Sequence, residues 1–268
     1  MGFRSITAFG VTGFFVLTAC SGAGTNDQFD DEKAATTVAA LDVGTSAPES
    51  ADLDSVDPSK AASDLAAAKT ESCRTRTVDP INPHVVHVVL AGCAGRFDRH
   101  VVSGDLTVTF SSNADGSLHS ESVSSNLTID GRPFTRTVSE DIAIAGNIRT
   151  VTRHAEKTGT KANGETFVHT GDEVVVTDKS TGCRTENGTG HSVIGGGRNI
   201  ESTITNFQTC EAPSGEDYCP TGSIEHVNEA KGKTILKTFD GSATVNIDIS
   251  KPKREVTTTW TLACTPRP

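Results

Sequence analysis

Between Cys73 and Cys264 the chain runs in stretches of roughly 8 to 12 residues in which apolar and polar positions alternate. The stretches are rich in Thr, Val and Ile, and Gly, Asn, Asp or Pro separate them. Period-two alternation of this kind predicts strands with one face turned to a core. Counting from Asp105 to Cys264 gives about ten or eleven strands, nearly all joined by short hairpins. The expected fold is all-β: a large up-and-down antiparallel meander, curled into a barrel or half-barrel or split into two packed layers. Just before it, Asp57-Pro58 reads as an N-cap followed by proline at the first helical position. One short helix is predicted within 58–72. With Ala61, Ala62, Leu65, Ala66, Ala67 and Ala68 its apolar face is mostly alanine, enough to dock on something but not to form a core. The β domain spans 73–265.

Turn chemistry predicts register. Asp130-Gly131 suits a two-residue type I′ hairpin and sets Leu127 opposite Phe134 and Val123 opposite Val138. Gly146-Asn147 suits a type II′ turn and brings Ile142 opposite Val151. Asp240-Gly241 repeats the type I′ signal and sets Leu236 opposite Val245. The shared apolar face would hold Leu106, Val108, Val123, Leu127, Phe134, Val138, Ile142, Val151, Val168, Val174, Ile200, Ile204, Val256, Trp260 and Leu262. The opposite face is Ser, Thr and charge, which argues against a transmembrane barrel with its apolar outer band.

The N-terminus changes the picture. Met1 to Ala19 carries Arg4 and then an apolar stretch from Ile6 to Leu17, too short to span a bilayer as a helix. It ends in Leu17-Thr18-Ala19-Cys20, followed by Ser21 and Gly22. This run resembles the lipobox of bacterial lipoprotein precursors. The resemblance implies that 1–19 is cleaved, that Cys20 is lipidated, and that the lipid holds the protein to a membrane. In that family an Asp after the cysteine can retain the protein at the inner membrane. Ser21 stands there instead, which implies the outer membrane of a Gram-negative-type envelope. The resemblance covers only the first twenty or so residues, and no family is recognised for the domain behind them.

Residues 20–57 read as an acidic tether. From Ser21 to Asp57 there are nine Asp and Glu against Lys33 alone, so this segment supplies most of the chain's net charge of −10. The remainder is close to neutral and shows no block of Lys and Arg, so no nucleic-acid partner is expected. Setting Cys20 aside leaves six cysteines, an even number that implies disulfides in an exported chain. Cys183 and Cys210 lie symmetrically about Gly195-Gly196-Gly197-Arg198, in a register that also sets Val193 opposite Ile200. Cys73 and Cys93 lie symmetrically about Pro83. Cys219 and Cys264 then remain as the third pair.

Candidate chemistry is sparse. Turning through Thr158 to Gly164 sets His154 opposite His169, with Glu156 on the same face, a set that could hold zinc. No metal or cofactor is otherwise expected. Glu121, Glu140 and Arg153 come out as cross-strand neighbours on the otherwise apolar face. With His119 they would line a ligand site if the sheet is curled. No Gly-x-Ser-x-Gly elbow, phosphate loop or Cys-x-x-Cys appears. The expectation is a membrane-anchored envelope lipoprotein with a non-enzymatic structural or interaction domain, its protein or lipid partner unnamed by the sequence. The alternative is a carrier for a lipid or other apolar ligand, resembling in outline the half-barrel lipoprotein carriers.

Overall fold

The structure, a computed structural model, describes residues 53–68, 72–94, 101–161, 163–211, 218–262 and 264–267. The signal segment, Cys20 and all of the 20–57 tether before Leu53 lie outside the described residues. Helix α1, Pro58–Ala67, begins where Asp57 caps it, the carboxylate accepting from the Lys60 N–H at 2.7 Å.

Thirteen strands follow: β1 Arg74–Val78, β2 Val85–Ala94, β3 Val101–Ser112, β4 Leu118–Ile129, β5 Arg132–Ala145, β6 Ile148–Thr160 and β7 Thr166–Asp178. Then come β8 Cys183–Ile194, β9 Arg198–Cys210, β10 Thr221–Asn228, β11 Lys233–Asp240, β12 Thr244–Lys251 and β13 Arg254–Thr261. They form one antiparallel sheet in chain order, a meander in which β1 and β13 are edges and do not close on each other. The eleven strands from Val101 onward match the sequence count; β1 and β2 form an added hairpin before them.

One face of the sheet is buried and forms an inner face. Under α1 and Leu53 it is aliphatic and aromatic: Val86, Val88 and Leu90 from β2, then Leu106, Val108 and Phe110 from β3. The same buried cluster runs on through Leu118, Phe134, Ile142, Val151, Phe167, Val175 and Ile194 to Ile200. A second cluster, Ile235, Val245, Ile247 and Ile249, packs against Phe239, Val256, Trp260 and Leu262 at the C-terminal end. Three disulfides form as expected: Cys73–Cys93 and Cys183–Cys210, the pairs symmetric about a turn, and Cys219–Cys264, the pair then remaining.

The register departs from expectation at identifiable places. Asp130 and Gly131 adopt φ of 50° and 74°, as a type I′ turn requires, and Ile142 faces Val151. A bulge in β4 then shifts the pairing, so Ser122 rather than Val123 faces Val138, and Val123 turns to solvent. Its cause is Asn126, at φ 57°, beside Gly104 on β3; a Cβ on Gly104 would lie 2.7 Å from the Leu127 Cα. The same device recurs at Asn206, φ 48°, beside Gly222, where a Cβ would lie 2.7 Å from the Phe207 Cα. That second bulge leaves Cys183 opposite Cys210 but sets Ser192, not Val193, opposite Ile200. The turn after Asp240 is longer than two residues, so Phe239 faces Val245 and Leu236 faces Asp248. Val168 and Val174, expected inside, are also on the exposed face.

Candidate functional site: a polar pocket on the inner face

Across the middle of the inner face a row of side chains is ionic rather than apolar. Ser120 on β4, Glu140 on β5, Arg153 on β6 and Glu173 on β7 are successive cross-strand partners. The Ser120 hydroxyl donates to Glu140 Oε2 at 3.2 Å, and Arg153 Nε donates to Glu140 Oε1 at 2.6 Å. Arg153 also donates from a terminal nitrogen to Glu173 Oε2 at 2.8 Å. Burial on its own would lower the Arg153 pKa; the two carboxylates outweigh it and raise the pKa, keeping the guanidinium charged. Cross-strand spacing thus lets one buried cation satisfy two buried anions.

The expected set is therefore split. Glu140 and Arg153 meet, but the β4 bulge turns Glu121 out to solvent, opposite Thr109 and Ser139. His119 is on that outer face too, hydrogen-bonded through Nδ1 to Asp141 at 2.8 Å. The carboxylate of Asp141 is held below its ordinary pKa by His119 and by Asn113. The zinc arrangement also separates. β6 and β7 pair His154 with Asp172 and Lys157 with His169. His154 is exposed, 2.8 Å from Asp172 and 3.7 Å from Glu156, whereas His169 is buried on the inner face. Among the described residues no group of three His, Cys, Asp or Glu side chains could hold a metal ion.

Beyond Glu173 the inner face is cut away. Ala155, Gly171, Gly188 and Gly190 replace larger side chains on β6, β7 and β8, and above them lies a pocket walled by Arg153, Lys157, Ser202 and His226. Its volume is about 40 Å³, and it opens to solvent on one side. The glycines also seat His169: a Cβ on Gly190 would come 2.8 Å from its Cε1. His169 Nδ1 is 2.8 Å from Ser192 Oγ, and His226 Nδ1 is 2.9 Å from Ser202 Oγ. Sequence reasoning missed both Ser–His pairs, because each joins residues more than twenty positions apart, and for Ser202 and His226 a bulge resets the β9–β10 register as well. The glycine run in β7 and β8 was the available signal, since glycine within strands marks close approach of another group.

Chemically, the pocket offers the Arg153 guanidinium, the Lys157 ammonium, the His226 imidazole, the Asp172 and Glu173 carboxylates and the Thr189 and Ser202 hydroxyls around a space that takes a few waters or one small polar group. A serine acting as nucleophile would need, besides its histidine, donors for an oxyanion and a group orienting the far ring nitrogen. No protein-family model, curated protein or solved structure matches this chain.

Proposed function

We propose that this chain is a membrane-anchored envelope lipoprotein whose β domain is a non-enzymatic structural or interaction module. The reading of the anchor rests on Leu17-Thr18-Ala19-Cys20 and on the even set of cysteines left once Cys20 is set aside. The observation that carries the reading of the domain is how the described residues fill the middle of the inner face. Charged side chains occupy the middle of the inner face, and the pocket there encloses about 40 Å³. Ligand pockets of ordinary size run to roughly 300–1,000 Å³ and are mostly apolar. An acyl chain does not fit a space of that size walled by Arg153 and Lys157.

The test combines two measurements on the full chain expressed in a diderm bacterium. Metabolic labelling with an alkyne fatty acid should mark the protein and place it in the membrane fraction, and Cys20→Ala should remove both. Native mass spectrometry of the detergent-extracted protein, with a fluorophosphonate probe in parallel, should show no retained lipid and no labelled serine. Stoichiometric co-purifying lipid would establish the carrier instead, and labelling of Ser202 or Ser192 would establish a hydrolase.

A further inference from the structure

The two edges of the sheet are built differently. β1 is a five-residue strand carrying Arg74 and Arg76, α1 packs against it, and the disulfide from Cys73 to Cys93 fixes its start. A short, charged and covered edge resists pairing with another chain. β13 is eight residues long and contains no proline, and from Val256 to Leu262 it carries no charge. Among the described residues its only ladder partner is β12.

The phase of its hydrogen bonds follows from the turn. Pro252 and Lys253 form a two-residue connection closed by the pair Lys251–Arg254, so ladder bonds to β12 come from Arg254, Val256, Thr258 and Trp260. The even phase continues past the strand, where the Leu262 N–H donates to the Ala243 carbonyl at 2.8 Å. Glu255, Thr257, Thr259 and Thr261 therefore direct their N–H and C=O groups away from the sheet.

We propose that β13 is a homotypic pairing edge, through which two copies of this chain join their sheets antiparallel. The proposal deepens the interaction-module reading and rests on it. The sequence of the strand selects a second copy as its occupant. With the two-fold axis at Thr258, Thr257 pairs with the partner copy's Thr259 and Glu255 with its Thr261, all through edge-facing backbone groups. Val256 then lies against the other copy's Trp260 at a non-hydrogen-bonded position, where side chains approach most closely. Arg254 meets Leu262, so no like charges oppose each other. Moving the axis by one residue to either side pairs three edge-facing residues of the strand in place of four. Pairing β13 with the β1 edge of another copy would offer five residues and two arginines instead.

The test uses the full chain in solubilised membranes. The six domain cysteines are joined in three disulfides, so Thr258→Cys adds one thiol at the proposed axis, and the unsubstituted chain controls for Cys20. Mild oxidation should give a band of twice the chain mass on a non-reducing gel. Mass spectrometry should then find a peptide in which the two copies are joined through the substituted position. Adding Thr259→Pro removes an edge-facing N–H without removing a bond to β12. It should cut the dimer on the order of tenfold, which corresponds to about 1.4 kcal/mol. Should that variant unfold, Thr257→Lys with Thr259→Lys sets lysines against each other across the axis and should have the same effect. A monomer only, a dimer yield indifferent to both edge variants, or a cross-linked band of another mass would each overturn the proposal. None of these outcomes moves the lipid-labelling or ligand measurements, so the two readings fail separately.

Discussion

The inner face of the sheet is apolar at one end and ionic in the middle, although both stretches are equally buried. Beneath α1, β2 and β3 present Val86, Val88, Leu90, Leu106, Val108 and Phe110 to Leu65, Ala61 and Ala62. Three strands further on, Arg136, Glu140, Arg153, Lys157 and His169 take the equivalent positions. A helix with a small-residue face can lie close to a sheet, and short branched side chains fill the gap between them. Away from the helix, long cationic side chains reach further: their stems bury apolar surface while their heads find carboxylates. The contrast shows that burial on a sheet face selects for filled volume first; whether charge is admitted depends on whether cross-strand neighbours can neutralise it.

The sharpest way to break this contrast is Arg153→Met. It leaves Glu140 and Glu173 buried beside each other without their guanidinium and should cost about 3–5 kcal/mol, read from urea unfolding midpoints. Replacing the whole row, Glu140→Leu with Arg153→Met and Glu173→Leu, should recover most of that loss. If the triple variant stays as unstable as the single one, the ion pairs are not interchangeable with packing. In the apolar region Leu65→Ala should cost about 2–5 kcal/mol, and no polar replacement there should restore it. Gly190→Ala probes the pocket itself. The added methyl group collides with His169, so a loss of about 1–3 kcal/mol is expected, together with a shifted His169 resonance in NMR spectra.

The smallest effects belong to the outer face, where histidines pair with carboxylates in solvent. Hydrogen bonding to Asp172 raises the pKa of His154 above its ordinary 6.5. The folded state therefore holds that proton more tightly. Its contribution to stability is complete below 6.5 and fades as pH rises through the folded-state value. Asp79 behaves oppositely. His87 and the Asn82 and Ile81 N–H groups hold its carboxylate at about 2, so its contribution is present above 3.8 and fades as pH falls toward 2. Asp172→Asn should return the His154 titration, followed by NMR, toward 6.5 with little change in melting temperature. An unmoved titration would mean that the pair does not persist in solution.

How much of this was legible in the sequence depends on how local each feature is. Alternation of Thr and Val with polar residues established the meander and its strand count from Val101 onward. A positive-φ dipeptide fixed the Asp130-Gly131 turn, because few residues tolerate that backbone. Cysteine symmetry about the turns indicated Cys183–Cys210, which are mirror positions of the β8–β9 ladder, and Cys73–Cys93, which lie two residues off theirs; Cys219–Cys264 followed as the remaining pair. The candidate site was only half legible. Glu140 and Arg153 face each other because no irregularity separates β5 from β6. Glu121 and His119 fell on the other face because Asn126 adds one residue to β4, and a shift of one inverts every side chain beyond it. His154 and His169 parted because the β6–β7 register differs from the expected one by three, setting Asp172 opposite His154, again an odd number.

The sequence by itself determined an all-β meander and its disulfides, from residues that act locally, in mirror symmetry or, for Cys219–Cys264, as the pair left over. The tertiary structure alone decided which face each strand turns inward, and so where the buried ion row and the two Ser–His pairs lie, and it set β13 at an edge of the sheet. The reason is the two-residue period of a strand. Composition is insensitive to a shift of one, whereas packing exchanges a buried charge for an exposed one and admits a single register.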